Sequence, residues 1–164
     1  MRKLVVRSRT EGGDIAATYG DVLVFIYVTP RMDDGLEQMF ALAEAEVATG
    51  PRGVFSCIHE GVRAPAPELR DRLSGMLRRR AESLLGVATV LRGSGFRVAA
   101  LRSMIAGVRL VSRGRYPGKV FSESDPAAAW LAARVPHLAA GELADLARSL
   151  EPVAVSAAAK PHSG

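Results

Sequence analysis

The chain has 164 residues, of which 48% are hydrophobic, and this fits one domain with a core of its own. Its single cysteine, Cys57, has no partner for an internal disulfide, which favours a reducing compartment. The first residues lack the apolar core of a signal peptide, and no apolar run approaches the roughly 20 residues of a spanning helix. We therefore expect a cytoplasmic protein with no membrane span.

The chain is basic, with 22 lysines and arginines against 17 acidic residues and a net charge of +5. Such a balance favours an anionic partner. All but three of the basic residues are arginines, however, as expected of a high-GC genome. Aromatic residues make up 5% of the chain and do not alternate with the arginines as a base-stacking surface requires. The composition thus argues against nucleic-acid binding, which would weaken steeply with salt.

The strands are predicted from apolar runs bounded by turns. Residues 19–21 form a hairpin turn, and the unbroken apolar run from Val22 to Val28 indicates a central strand that is buried on both faces. The strand at 15–20 is expected at an edge, where it could pair with a second copy. The predicted strands are residues 3–8, 15–20, 21–29, 53–59, 86–91 and 118–121.

Helices alternate with the later strands. The predicted helices are one carrying Leu36 to Val47 with Thr29 or Asp33 as its cap, one from Pro67, one over 96–113, one capped by Asp125-Pro126 and running through Arg134, and one over 138–150. This order predicts an α/β fold with a mixed sheet of five or six strands and an N-terminal antiparallel hairpin. Residues 1–136 form the domain, 137–150 a C-terminal helix and 151–164 a disordered tail.

A basic helix follows the sequence Gly93-Ser94-Gly95 and is a candidate anion or partner site. On a helical wheel Arg102, Arg109 and Arg113 fall within about 40° of one another. The opposite side of the wheel carries Ala100, Met104, Val108 and Val111. The glycines and Ser94 could present backbone N–H groups to an anion, or form a turn in which Ser94 caps the helix. No Gly-Lys-Ser/Thr follows, so the segment is not a P-loop.

The strongest candidate site lies where a predicted strand ends at His59 and Glu60. Ligands of α/β proteins bind at such strand ends. The next loop and helix start add Arg63, Glu68 and Arg70 as candidate partner-binding residues. Cys57 shares a strand face with His59, but no third residue orients a thiolate pair. No spacing of cysteines and histidines indicates zinc, so we expect no cofactor, no metal and no catalytic residues.

The order of the elements resembles a known superfamily. The segments "DVLVFIYVTPRMDDGLEQMFALAEA", "GVFSCIHEG", "GVATVLRGSGFRVAALRSMIAG" and "YPGKVFSESDPAAAWLAA" are similar to those of the STAS-like superfamily. They are most similar to small stand-alone bacterial proteins that are described as STAS-like or related to the CRAL-TRIO lipid-binding fold. The resemblance covers about residues 15 to 134.

The resemblance implies a non-enzymatic, regulatory module that binds a protein such as a kinase or a sigma-factor regulator. Phosphorylation-switched members carry a serine or threonine where this chain has Ala64, Pro65, Ala66 and Pro67, so no such switch is expected. The alternatives are a small-molecule or lipid-binding domain with an apolar pocket between sheet and helices, a small enzyme built on His59, Glu60 and Cys57, and a nucleic-acid binder. The apolar strands and the C-terminal helix also favour a homodimer.

Overall fold

The computed structural model describes residues 2–160 and confirms the predicted fold class. Six strands form one mixed sheet whose spatial order follows the chain. They are β1 (Leu4–Arg9), β2 (Ile15–Tyr19), β3 (Val22–Tyr27), β4 (Arg52–Ile58), β5 (Leu84–Leu91) and β6 (Gly118–Phe121). The first three strands pair antiparallel, and β3 to β6 pair parallel. The parallel pairs need crossover connections, which the helices supply.

Five helices cover the two faces of the sheet. They are α1 (Asp33–Val47), α2 (Pro67–Arg79), α3 (Phe96–Val111), α4 (Ser124–Ala132) and α5 (Ala140–Ala158), with a 3₁₀ turn at Ala81–Ser83. The helices α1, α2 and α3 share one core with the sheet, and α4 and α5 share a second core with its other side. We call the two sides the α1–α3 face and the α4–α5 face.

Strand β3 is the centre of both cores, as its apolar run predicts. All six of its residues are buried, with Leu23, Phe25 and Tyr27 on the α1–α3 face and the alternate residues on the α4–α5 face. Strand β2 lies between β1 and β3, so the prediction that it is an edge strand is wrong. The N-terminal edge is β1, on which Val5 and Val6 are exposed.

The α4–α5 face is closely packed because the sheet carries small residues there. A Cβ atom added to Gly53 would lie 2.5 Å from Cγ2 of Val135 and 3.3 Å from Cδ1 of Leu131. At Gly86, the next strand along, an added Cβ would lie 3.2 Å from both Leu131 and Trp130. Glycine at these two positions therefore lets α4 lie directly on β4 and β5.

The C-terminal helix is longer than predicted and belongs to the domain. Residues 151–158, expected to be a disordered tail, continue α5 through Pro152, and Leu143, Ala147 and Ala154 are buried in the core of the α4–α5 face. Residues 161–164 of the expected tail lie outside the described residues. Within residues 2–160, no helix combines the length and hydrophobicity needed to cross a membrane.

The helix starts also differ from the prediction. Helix α1 begins after Met32, α3 after Gly95 and α4 after Glu123, and none of these positions forms a side-chain cap hydrogen bond. The expected caps at Thr29 or Asp33, at Ser94 and at Asp125 are therefore not formed. Instead, the Thr29 hydroxyl donates a hydrogen bond to the fully buried carboxylate of Asp14. The same carboxylate also accepts hydrogen bonds from the backbone N–H groups of Val28 and Thr29, at 2.7 and 3.0 Å.

Candidate functional site

An apolar cavity lies on the α1–α3 face of the sheet. It has a volume of about 100 Å³ and lies between the sheet and the three helices of that face. Most of its lining is aliphatic, aromatic or methionine side chains. The lining includes Leu23, Phe25, Met32, Leu36, Met39, Val54, Ile58, Leu73, Met76, Leu77, Val87, Met104, Ile105 and Val108.

The cavity exists because the two faces of the central strands are covered differently. On the α4–α5 face, α4 lies against β4 and β5, whereas α2 and α3 approach each other more closely than they approach the sheet. Val54, Ser56 and Val87 keep part of their surface accessible although they lie in the middle of central strands. Because helices cover this side of the sheet, the accessible surface of these side chains faces the cavity.

Four residues that carry hydroxyl groups interrupt the aliphatic lining. Ser56 and Thr89 are two of them, on β4 and β5, and Tyr27 and Tyr116 are the other two. Burial raises the pKa of both tyrosines above the ordinary phenol value, and the nearby Asp14 carboxylate adds to the shift at Tyr27. Both phenols are therefore protonated and neutral at physiological pH.

Among the described lining residues, one carries a charge. The Arg80 guanidinium donates hydrogen bonds from Nε and Nη2 to Oε2 of Glu44, at 3.1 and 2.5 Å. The hydrogen bond from Arg80 is also the main reason that the pKa of Glu44 is lowered. The arginine charge is thus neutralised by α1, and the cavity as a whole presents no free charge to an occupant.

The predicted His59 site lies at the carboxyl edge of the parallel strands, outside the cavity. His59 follows the end of β4, and its Nδ1 atom lies 3.4 Å from the carbonyl oxygen of Glu60. The Glu60 side chain covers Gly93, since a Cβ atom added there would meet the Glu60 carboxyl carbon at 2.7 Å. The structure therefore brings the His59 loop and the Gly93-Ser94-Gly95 segment together.

The Gly93-Ser94-Gly95 segment lies at the start of α3 with both glycines at positive φ, 83° and 92°. These φ values favour glycine, which explains the two glycines as turn residues. Ser94 is exposed. The Glu60 carboxylate against Gly93 opposes the approach of an anion to this turn.

The predicted partner-binding residues are spread over α2, α3 and the loops beside them. Arg63, Glu68 and Arg102 are exposed, as is Arg113, which follows the end of α3 at a φ of 57°. Arg109 is half-buried and packs near Gly118 of β6. Arg102, Arg109 and Arg113 therefore do not form one continuous exposed stripe.

Arg70 and Arg109 each have a buried guanidinium nitrogen. Within the described part of the chain, the Nε atom of each is buried without a hydrogen-bond partner. Arg70 also lines a shallow groove between α2 and α3, whose lining on the α3 side is Ala100, Ser103, Met104, Gly107, Val108 and Val111.

The outward face of α3 is apolar, whereas the helical wheel predicted arginines on the exposed side of this helix. Phe96 is 87% exposed and Leu110 is 80% exposed, and Val111, expected on the buried side, is also exposed. Between the two ends lie the small residues Ala99, Ser103 and Ala106, all exposed. The buried side of the helix consists of Val98, Leu101, Met104 and Val108.

Cys57 has no features of a nucleophile. It is fully buried on the α4–α5 face, on the side of the sheet away from the cavity, and burial raises the pKa of its thiol to about 12. A thiolate is the reactive form of cysteine, so this thiol is inert at neutral pH. Within residues 2–160, no group of His, Cys, Asp and Glu side chains is arranged to hold a metal ion.

An ion-pair cluster near Cys57 was not predicted from the sequence. Arg92, directly after β5, donates to both carboxylate oxygens of Glu151 at 3.2 and 2.8 Å, to Glu123 at 3.0 Å and to the hydroxyl of Ser124 at 2.9 Å. The cluster fastens α5 and the start of α4 to the end of the sheet. Every polar side of Arg92 is occupied by the protein itself, which gives this arginine a structural role.

No protein-family model, curated protein or solved structure matches this chain. The resemblance to the STAS-like superfamily therefore stays a prediction from the sequence.

Proposed function

We propose that the protein is a binding domain for a small, largely apolar molecule that occupies the cavity on the α1–α3 face. The observation that carries this proposal is the cavity itself, an apolar space of about 100 Å³ beneath three helices. Protein interiors are close-packed and contain few spaces larger than a water molecule. Keeping a cavity of this size open costs about 2 kcal/mol at roughly 24 cal/mol per Å³. A bound ligand would recover the contacts that the cavity lacks.

The chemistry of the lining supports the same proposal. Ligand sites are mostly apolar with a small number of placed polar groups, and they lie between the layers of a fold. The cavity combines an aliphatic and methionine-rich lining with the hydroxyls of Ser56, Thr89, Tyr27 and Tyr116. Met32, Met39, Met76 and Met104 also allow the lining to adapt to the shape of a ligand, because methionine is unbranched and flexible.

Native mass spectrometry on gently purified protein tests the proposal. We expect an additional mass on the folded chain that is lost on denaturation. Replacement of Val87 by phenylalanine fills the cavity from its sheet side, and we expect Val87→Phe to lose the additional mass. The matched control is Leu110→Phe, which adds an aromatic ring to the exposed face of α3 and should retain it.

An apo protein that also fails to bind small apolar probes such as toluene, while remaining folded, would contradict the proposal. Retention of the ligand by a folded Val87→Phe variant would place the ligand elsewhere.

The second candidate is the protein-interaction module that the sequence favoured, regulatory and non-enzymatic. The observation that supports it is the exposed apolar face of α3, where Phe96 and Leu110 are more than three-quarters exposed. They lie near the two ends of the helix, with the exposed small residues Ala99, Ser103 and Ala106 between them, and exposed apolar surface of this kind is typical of interaction sites. Arg97 and Arg102 on the same helix would favour an acidic partner, and no phosphorylatable residue is needed for such docking.

This candidate predicts that a specific partner is captured by the wild-type protein and lost with Leu110→Ser. Val153→Ser is the control, because Val153 is an exposed apolar residue of α5, on the other side of the sheet. Equal capture by both variants would exclude the α3 face. Analytical ultracentrifugation of the same variants reports whether the partner is a second copy of the chain.

A further inference from the structure

Ser56 and Thr89 are neighbours on the floor of the cavity. They pair in register on the parallel strands β4 and β5, whose backbones are about 4.8 Å apart. Both side chains point to the α1–α3 face, because both line the cavity together with Val54 and Val87 of the same strands. The two hydroxyl-bearing side chains are thus adjacent in the middle of the sheet, and we call them the polar patch.

This polar patch is unusual for its position. Both strands are internal in the six-stranded sheet, and helices cover both faces. A hydroxyl that is removed from water without a hydrogen-bond partner costs about 1–3 kcal/mol. Ser56 nevertheless keeps part of its surface accessible, and that surface opens into the cavity. A cavity occupant with a polar group would form a hydrogen bond with these hydroxyls inside the domain.

We propose that Ser56 and Thr89 form a hydrogen-bonding subsite that selects a neutral ligand, with one hydroxyl or carbonyl group on a small apolar body. The inference rests on the proposed function, and it names the chemical class of the ligand. A hydroxyl side chain both donates and accepts, so the pair suits an alcohol, a phenol or a ketone.

An ionised ligand does not suit the site. A buried carboxylate needs a cation or several donors to offset its loss of hydration. The cation in the cavity lining, Arg80, already binds Glu44 through two of its N–H groups. The phenols of Tyr27 and Tyr116 remain neutral, so they add no positive charge.

The volume sets the size of the ligand. About 100 Å³ is comparable to the roughly 150 Å³ of an engineered cavity that binds benzene. The body of the ligand is therefore a single ring or a short aliphatic chain rather than a full-length fatty acid. Phenol and toluene are suitable probes, because they have nearly the same shape and differ in one hydroxyl.

The experiment is a titration of the full chain with phenol, toluene and benzoate, followed by NMR. Replacing both hydroxyls in Ser56→Ala/Thr89→Val should weaken phenol binding about 3- to 10-fold, the value of a typical hydrogen bond. Toluene binding should stay unchanged or become tighter. Benzoate, which is ionised at pH 7, should bind the wild type at least about tenfold more weakly than phenol. Thr89→Ser keeps a hydroxyl at position 89 and should retain phenol binding.

The possible outcomes separate this inference from the proposed function. Equal loss of phenol and toluene in the double variant, or no loss of either, would overturn the hydroxyl subsite while binding to the cavity stands. Benzoate binding as tight as that of phenol would overturn the selection of a neutral ligand. If neither phenol nor toluene binds the wild type, the proposed function itself fails. Ser103→Ala, which removes an exposed hydroxyl of α3, serves as the matched control.

Discussion

Arg92 and Glu151 are 59 residues apart in the chain, and the guanidinium of one donates two hydrogen bonds to the carboxylate of the other. Arg92 is 22% exposed at its side chain and Glu151 is 14% exposed. The pair joins the end of β5 to the second half of α5. Removal of either partner leaves a charge that is mostly withdrawn from water.

We expect Glu151→Ala to lower the free energy of unfolding by about 2 kcal/mol, because a hydrogen bond to a charged group contributes roughly 1.5–3 kcal/mol and Arg92 retains Glu123 and Ser124 as partners. Urea denaturation at pH 7 measures this loss. The control is Asp125→Ala, which breaks the exposed pair with Arg148 and should cost much less than Glu151→Ala. Similar losses in the two variants would show that the Arg92 cluster does not hold α5.

Truncation after Leu150 distinguishes a packed helix from a disordered tail. The truncation removes Glu151 and the buried Ala154, so we expect a clear loss of stability and a lower melting temperature. Val153→Ser, at an exposed position of the same helix, is the control and should leave the melting temperature nearly unchanged. A chain ending at Leu150 that melts like the full chain would contradict the described helix from 151 to 158.

Two glycine substitutions should change stability in opposite directions. Gly53→Ala places a methyl group 2.5 Å from Val135, and such overpacking costs about 1–3 kcal/mol. Gly107→Ala adds a methyl group that meets nothing within 4 Å on an exposed helical position, where alanine is better than glycine by about 0.5–1 kcal/mol. Thermal unfolding of the two variants measures both effects. Equal tolerance of alanine at both sites would mean that α4 does not lie against β4.

The thiol of Cys57 should be unreactive in the folded protein. Its pKa is raised from 9.0 to about 12 by burial, so almost no thiolate is present at pH 8. Labelling with a thiol reagent should therefore proceed only through unfolding, and its rate should rise sharply in urea. Fast labelling of the native protein would contradict the burial of this thiol on the α4–α5 face.

The same pKa shift makes folding stability depend on alkaline pH. The unfolded thiol loses its proton near pH 9 and the folded thiol near pH 12, so the unfolded state binds fewer protons between these values. The stabilisation is complete below pH 9 and is lost as the pH rises towards 12. We expect Cys57→Ala to reduce this loss without abolishing it, because the raised pKa values of Tyr27 and Tyr116 act in the same direction.

The fold could be predicted from the sequence because its signals are local. The apolar run of β3 indicates burial on both faces, and alternation of short apolar strands with amphipathic helices determines the mixed sheet. The C-terminal part of α5 has a weak local signal, since Pro152 and an alanine-rich segment favour no particular partner. Its position depends on the packing of Ala154 and the bonds of Glu151, which join residues distant in the chain.

The cavity could be predicted only in outline, as a pocket between sheet and helices. Its volume depends on how far α2 and α3 stand from the sheet, and no residue spacing encodes that distance. Ser56 and Thr89 resemble ordinary strand residues until the register of β4 and β5 places them side by side. The sequence predicted a site at the His59 loop because histidine and glutamate are residue types common in functional sites. The cavity, in contrast, is lined by residue types that are typical of any protein core.

The unequal packing on the two sides of the sheet has a mechanical consequence. With glycine at positions 53 and 86, α4 has no room to shift towards β4 and β5, so the sheet and α4 move as a unit. Any change of shape that accompanies filling or emptying of the cavity must then be taken up by α1, α2 and α3, which form the rest of its wall. The outer surface of α3, which carries Phe96 and Leu110, would move together with this helix. Ligand binding inside the domain would thus change the position of an exposed apolar surface.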